Sequence, residues 1–420
     1  MTIELSKLRK LKVRRETTFA TDMTSGGTSF TSFQDVPFIE DSIQVSIPQA
    51  SEPVAVAQQF VDRIERDVMG LKECSLSFSV PMHATGVVAA AGVTSVNTAM
   101  GTILKAMFGG ESLDGGTTYA SGGSTSAAVV ADGSKLPAGT AAAVAMGAGG
   151  AFEIREVKDR TTNTITFKEA FSASLTGATA MLRSATYYFT EPATDPATLQ
   201  FVLQGVEADD LYILEGMNGG LSFGWEYGKI PTMGFTLKGR KWIPITTPPA
   251  TALSQASYSN FSPIVLKDSE FHFPSVGSVS KTLIDPTLIF SATINIDWIE
   301  IRTPGGPETG YGKRRDRKVP VATVQFTVPY QDESYRTLKT ALTRKAVFIQ
   351  CGNSITGVND GAWMLSFPNV QVVDVEPVDW NGIKAQQITC KATNDWECST
   401  AGAAAGASEI ERSAVRYHVF

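Results

Sequence analysis

Four cysteines, three histidines and a 19% share of charged residues leave this 420-residue chain short of reactive side chains. Cys74, Cys351, Cys390 and Cys398 show no CxxC or other ligand spacing, which argues against a zinc site and predicts reduced, packed thiols. His83, His272 and His418 lie far apart with no partner at ligand spacing, so each is expected to be a satisfied or surface histidine. No stretch reaches the roughly 18 apolar residues of a membrane span, so no membrane binding is expected. "KLRKLKVRR" (Lys7 to Arg15) has no apolar run behind it, so a secretory signal is not expected. The chain reads as made and kept in a cytoplasm.

Nucleotide and metal signatures are also missing: GxxxxGK[ST], HExxH and the EF-hand loop do not occur. The Gly-rich "FGGESLDGG" reads as a loop. Carboxylates are scattered (Asp209, Asp210, Asp374, Glu376, Asp379), and no nucleophile and base are singled out. No enzyme is legible, and neither cofactor nor metal is expected. A net charge of −6 argues against a general nucleic-acid binder.

What is present is glycine, with 37 residues, and period-2 alternation. In "GMNGGLSFGWEYGKIPTMGFTLKG" (Gly216 to Gly239), Leu221, Phe223, Trp225 and Tyr227 alternate with small or polar residues. Met233, Phe235 and Leu237 do the same after a Gly-Lys-Ile-Pro connection. This is a two-faced β-hairpin, with one face in a core and the other in water. A one-residue slip exchanges the faces.

The length predicts two or three domains. Residues 1–48 read as a basic arm. A compact β region is expected over 49–245, with 112–186 as an inserted small β-module. A linker follows over 246–260, a second β region over 261–398, and an Ala/Gly-rich tail over 399–420. The tail reads equally as an assembly hook or as frayed. "AVAQQFVDRIERDVMGLKE" has near-helical apolar spacing and reads as partly helical. "NTAMGTILKAMFGG" and "DESYRTLKTALTR" read as short helices, the first stopped by Gly109 and the second capped by Asp332 or Ser334.

An internal repeat underlies this division. "SLSFSVPM" (Ser75 to Met82) matches "ATVQFTVPY" (Ala322 to Tyr330) at Phe78/Phe326, Val80/Val328 and Pro81/Pro329. A helix follows each, then a hydrophobic strand ("LYILEGMNGG" beside "VFIQCGNSITG"), then a long hairpin. Charge concentrates in "TPGGPETGYGKRRDRKVP", where Lys313, Arg314, Arg315, Arg317 and Lys318 form either a solvated tip or an arm reaching a neighbouring copy. The same two readings hold for Lys10, Arg14 and Arg15.

The Gly216–Gly239 hairpin, preceded by a strand–Pro–helix unit and "ATYYF", resembles the tail tube (major tail) proteins of long-tailed bacteriophages. Gly216, Gly220, Leu221, Phe223, Glu226, Gly228, Lys229, Ile230, Pro231, Thr232, Phe235, Thr236 and Gly239 fill that family's hairpin pattern. The match covers about 50–245, and 260–396 at domain level only. The resemblance implies a mainly β fold with two β-sandwich or barrel tube-type domains, each with one short helix. It implies rings, trimeric and pseudo-sixfold if two domains are fused, that stack into a hollow tube conducting DNA. Expected partners are further copies, a tape measure protein, tail terminator and distal tail proteins, with DNA in passage. The expected location is the virion tail, assembled in the host cytoplasm.

Ser222, Gly224, Glu226, Thr232, Gly234, Thr236 and Lys238 would face the lumen, where Lys238 needs Glu226 across the hairpin for neutralisation. The insertion would decorate the outside. Three other readings stay open. One is a carbohydrate-binding or decoration module using Trp298, Trp363, Trp380 and Trp396. Another is the tube of a related injection device or gene transfer particle, and the last is a hydrolase on a β scaffold.

Overall fold

A computed structural model describes residues 10–16, 30–47, 49–56, 64–82, 86–89, 92–96, 98–113, 117–145, 152–175, 180–190, 198–205, 211–226, 229–239, 241–245, 269–278, 289–295, 298–301, 314–317, 321–352, 362–394 and 409–420. The fold is mainly β. The first strands are β1 (Lys10–Arg15), β2 (Gln34–Asp35), β3 (Gln44–Ser46), β4 (Gln49–Val56), β5 (Ile64–Lys72), β6 (Cys74–Pro81), β7 (Gly86–Ala89) and β8 (Gly92–Val96). Helix α1 (Thr98–Phe108) and β9 (Gly109–Ser112) follow. Next come β10 (Thr117–Gly123), β11 (Ala127–Val130), β12 (Ala141–Ala145), β13 (Phe152–Arg160), β14 (Thr164–Phe167) and β15 (Ala180–Arg183). The chain continues through β16 (Ala185–Phe189), β17 (Leu199–Gln204), β18 (Leu211–Glu226), β19 (Thr232–Gly239) and β20 (Lys241–Pro244).

The remaining strands begin with β21 (Glu270–His272), β22 (Ile289–Asn295), β23 (Trp298–Ile301), β24 (Arg314–Arg317) and β25 (Val321–Pro329). Helix α2 (Ser334–Thr340), β26 (Arg344–Gly352), β27 (Ala362–Trp380) and β28 (Ile383–Ala392) come next, and α3 (Glu409–Arg412) and β29 (Arg416–Val419) close the chain.

One antiparallel sheet runs β3-β6-β19-β18-β22-β25-β28-β27. Its first four strands and its last four are built in the same order. In each set a hairpin (β4–β5 or β23–β24) separates the first strand from the second in sequence. A helix follows the second strand (α1 or α2), and then a strand (β17 or β26) pairs with the opening part of the long strand of the set (β18 or β27). A strand from upstream completes that outer layer, β1 on β17 and β21 on β26.

The long strands join the two layers. β18 pairs with β17 over Leu211–Met217 and with β22 over Leu221–Glu226, while β19 and β20 follow its other edge in one register. Gly216 sits in the left-handed region at φ 64° where the β17 register shifts, so the strand turns there without Cβ strain. β27 has a similar break, where its register with β26 slips between Lys345 and Val347 beside Pro368, which has no N–H to offer a ladder.

The space between the layers is a single apolar core spanning both sets. Phe78 stacks on Phe235 at 5.0 Å between centroids and meets Phe201 edge-on at 5.8 Å. Phe326 takes the equivalent place in the second set, 5.0 Å from Phe271 and 5.3 Å from Phe273. Helix α1 buries Met100, Ile103, Leu104 and Met107 here, and Gly109 at φ 89° ends it. Asp332 accepts a hydrogen bond from the Ser334 N–H at 2.8 Å at the start of α2.

The inserted segment is a closed six-stranded barrel, β10-β11-β14-β13-β12-β15, around Val130, Ile165, Phe167, Phe171 and Met181. Closure leaves no exposed edge. Its neck is the antiparallel pair β9–β16.

Several expectations are corrected. The segment with near-helical spacing, 55–73, contributes the end of β4 and all of β5, which pair as strands, and its residues 57–63 lie outside the described residues. The expected N-terminal arm contains β1, whose Leu11 and Val13 have no exposed surface. The repeat alignment is offset by one strand: "LYILEGMNGG" opens β18 and corresponds to β27, while "VFIQCG" (β26) corresponds to β17. The tail is neither hook nor frayed end over Glu409–Phe420, since β29 is buried between β27 and β16. The 246–260 linker lies outside the described residues.

Candidate functional site

Alternation settles which face of the hairpin is wet. Leu221, Phe223, Met233, Phe235 and Leu237 are buried in the core, so Ser222, Gly224, Glu226, Thr232, Gly234, Thr236 and Lys238 point away from it. Ladder pairing extends that face across the sheet. Ser222 lies between Gly234 and Thr293, and Gly224 between Thr232 and Ser291. Thr293 continues to Thr323 and Lys391, and Ser291 to Gln325 and Thr389. On the other side Thr232, Gly234, Thr236 and Lys238 meet Pro81, Ser79, Ser77 and Ser75. The result is a broad face of hydroxyls, amides and glycine with few charges and no large apolar side chain at these positions.

A close approach of the two hairpin strands requires glycine at one position of the hairpin and not at another. A Cβ on Gly219 would come within 2.0 Å of the Thr236 carbonyl oxygen, whereas one on Gly224 would meet only Thr232 Oγ1 at 3.5 Å. The expected neutralisation of Lys238 by Glu226 does not occur. Glu226 pairs with Lys229 at 2.6 Å at the hairpin tip, while Lys238 lies opposite Asn218 at the other end.

The basic candidates divide. Arg314, Arg315 and Arg317 lie on β24, whose backbone pairs with β23, so this stretch is a β-hairpin rather than an open loop. Lys313 and Lys318 lie outside the described residues. Lys10, Arg14 and Arg15 belong to β1 and are tied into the sheet; Arg14 Nε donates to Gln200 Oε1 at 2.6 Å and its guanidinium covers the Phe33 ring. They do not form a free arm.

Sequence reading missed a polar interlock that holds the inserted barrel to the body. Ile154, Ala141, Ala143 and Leu182 of the barrel pack on Phe348, Ala346, Met364 and Phe420, across the sheet from the main core. At the rim of that contact Glu156 accepts from Arg416 Nη1 and Ser366 Oγ, with Lys168 Nζ at 2.9 Å. Burial opposes ionisation of Glu156, but Arg416 and then Lys168 more than offset it and hold the carboxyl far below its usual range. Beside it, burial holds His418 below the ordinary histidine value; its Nδ1 lies 3.0 Å from Thr186 Oγ1.

His272 bridges the same interface between two carboxylates, Nδ1 to Glu169 at 2.6 Å and Nε2 to Glu270 at 2.9 Å. Burial opposes its protonation, but the hydrogen bonds to Glu169 and Glu270 prevail and raise its pKa. The expectation of satisfied or surface histidines agrees with His272, buried with both ring nitrogens in hydrogen bonds, and with His418, buried against Thr186; His83 lies outside the described residues. The charged residues Glu153, Arg155 and Glu156 in β13 and Glu270 in β21 left a sequence trace of this contact.

Gly220-Leu221-Ser222-Phe223-Gly224 spells GxSxG, but Ser222 sits in mid-strand rather than on a strand-to-helix turn, with no histidine on its neighbouring strands at that rung. Cys74, Cys351 and Cys390 are buried, and burial pushes the Cys390 thiol up to about 12. No cluster of metal-ligating side chains occurs among the described residues. Trp363 is a core residue, and Trp380 ends β27; Trp396 lies outside the described residues. Among the described residues no helix is long and apolar enough to cross a membrane. No family model matches the chain, and no curated protein matches it in sequence.

Proposed function

We propose that this chain is a structural subunit of a hollow tail tube, in which the polar face of the continuous sheet lines a channel for DNA. The observation that carries this is the tandem order β3-β6-β19-β18 and β22-β25-β28-β27 in one sheet, apolar toward the core and hydroxyl- and glycine-rich on the other side. Val372–Trp380 of β27 pair with β28 on one edge and with no strand on the other among the described residues. Such an edge invites a neighbouring chain. Pro377 lies in this stretch and donates nothing, which confines pairing to the residues around it.

Eight strands per chain give 24 in a ring of three chains. At about 4.8 Å per strand the circumference is about 115 Å and the radius about 18 Å before strand tilt widens it. The two hairpins β4–β5 and β23–β24, at equivalent points of the two sets, suit contacts between stacked rings. By the family resemblance, a tape measure protein, tail terminator and distal tail proteins are the other partners, and the virion tail is the location. The tube of a related injection device shares every one of these features.

Electron microscopy of the purified chain at rising concentration, with particle mass, tests this reading. Hollow rings of three chains with six lobes support it. Six chains per ring keep the tube and remove the tandem account, and monomers at every concentration, even after seeding, sink both.

A further inference from the structure

The two sets of strands carry a lysine at the same point of the polar face. Phe78 pairs with Phe235, and Phe326 with Ile388, which fixes the correspondence of β19 with β28. Counting on three residues, Phe235-Thr236-Leu237-Lys238 corresponds to Ile388-Thr389-Cys390-Lys391. Lys238 lies between Ser75 and Asn218; Lys391 lies between Thr323 and Gln371. Each is thus set between a hydroxyl and a carboxamide, and each is exposed.

Neither lysine enters an ion pair among the described residues. Asp374, further along the strand beside Lys391, is engaged by Lys339 at 2.7 Å. Positions around the lysines have diverged: Ser222 corresponds to Glu376, and Gly224 to Val378. A cation at both points therefore stands out against a face otherwise rebuilt between the sets.

We infer that Lys238 and Lys391 form a row of phosphate contacts for double-stranded nucleic acid passing over this face. The inference rests on the ring reading above, which turns two lysines per chain into six at one level. Four strand steps separate β19 from β28, about 19 Å along the sheet at 4.8 Å each. The residues that flank the two lysines, Ser75, Asn218, Thr323 and Gln371, are hydroxyls and carboxamides, which do not seat an apolar peptide. Isolated, evenly spaced cations flanked by hydroxyls and carboxamides, on a face whose exposed carboxylates include Glu376, suit a backbone contact without sequence preference. Such a row holds DNA weakly and in a salt-dependent way, which keeps a duplex centred while leaving it free to slide.

The test uses full-length chain and the variants Lys238→Gln, Lys391→Gln and the double variant, with Lys135→Gln on the inserted barrel as a charge-matched control. Ring formation is followed by electron microscopy, and retention of a short fluorescent duplex by anisotropy from 50 to 200 mM salt. Wild-type and control rings are expected to retain the duplex with a salt-dependent affinity. The double variant is expected to bind at least tenfold more weakly at 50 mM, and each single variant is intermediate. Its log–log salt slope should be shallower by about 1 for each phosphate no longer neutralised.

Intact double-variant rings that bind the duplex with unchanged affinity and slope overturn the inference. Lysine-dependent retention of polyglutamate without retention of the duplex also overturns it, in favour of an acidic polypeptide. If wild-type chain forms no rings, the ring reading fails by itself. The same titration on free chain then decides the contact: lysine-dependent, salt-sensitive duplex binding supports it, and no duplex binding overturns it.

Discussion

Glu156 of the inserted barrel and Arg416 of the C-terminal strand form an ion pair in which neither side chain has any exposed surface. The two are 260 residues apart in sequence, and their contact fastens the barrel to the body through the last strand of the chain. Arg416 also donates to the carbonyls of Ile410 and Glu411, each at 2.7 Å, so one guanidinium closes the turn that delivers β29.

Removing one partner of a fully buried pair strands the other. Arg416→Met is expected to cost about 3–5 kcal/mol in denaturant unfolding. Arg416→Lys recovers only part of this, because an ammonium cannot serve Glu156 and two carbonyls in the same fork geometry. A loss under about 1 kcal/mol for Arg416→Met contradicts this account.

Glu156 also sets an acid limit. Its folded pKa lies below the unfolded value of about 4.3, so its stabilisation is complete above that value and lost as pH falls toward the folded pKa. Stability of the wild-type chain should decline below about pH 4 with a slope that Glu156→Gln lessens. Equal slopes in the two proteins refute the assignment.

His272 acts in the opposite direction. Its pKa is raised, so its contribution is complete below the unfolded value of about 6.5 and disappears as pH rises through the higher folded value. Thermal unfolding from about pH 6 to pH 9 should show wild-type Tm falling by more than that of His272→Gln. Parallel curves count against a charged imidazolium between Glu169 and Glu270.

Two glycines on one hairpin should respond differently. Gly219→Ala drives a Cβ into a backbone carbonyl and is expected to cost about 1–3 kcal/mol. Gly224→Ala meets only ordinary contact and should stay within about 0.5 kcal/mol. Equal effects in calorimetry mean that the hairpin packs otherwise.

The aromatic stack between Phe78 and Phe235 joins neighbouring strands across the core. Phe78→Ala should lose about 3–5 kcal/mol, and a double-mutant cycle with Phe235→Ala should return a coupling of about 0.5–1.5 kcal/mol. Strict additivity shows that the rings act independently.

Whatever depends on neighbours along the chain was legible in the residues alone. Period-2 alternation identified β18 and β19 and which residues they bury, since a strand's faces follow from the pleat. The match of Phe78-Ser79-Val80-Pro81 to Phe326-Thr327-Val328-Pro329 located equivalent strands, and Gly109 marked the end of α1. Near-helical spacing misled over 55–73, where the pairing of β5 (Ile64–Lys72) with β4 overrode a weak local preference. The rest came only with the folded chain, because it depends on contacts between residues remote in sequence. Folding put Lys10–Arg15 in the sheet and β29 between β16 and β27. It closed residues 117–183 into a barrel and made His272 and Glu156 the polar joints of its docking. It also set Lys238 and Lys391 at one level of the two sets, since strand order and register, rather than similarity of the two segments, define that level.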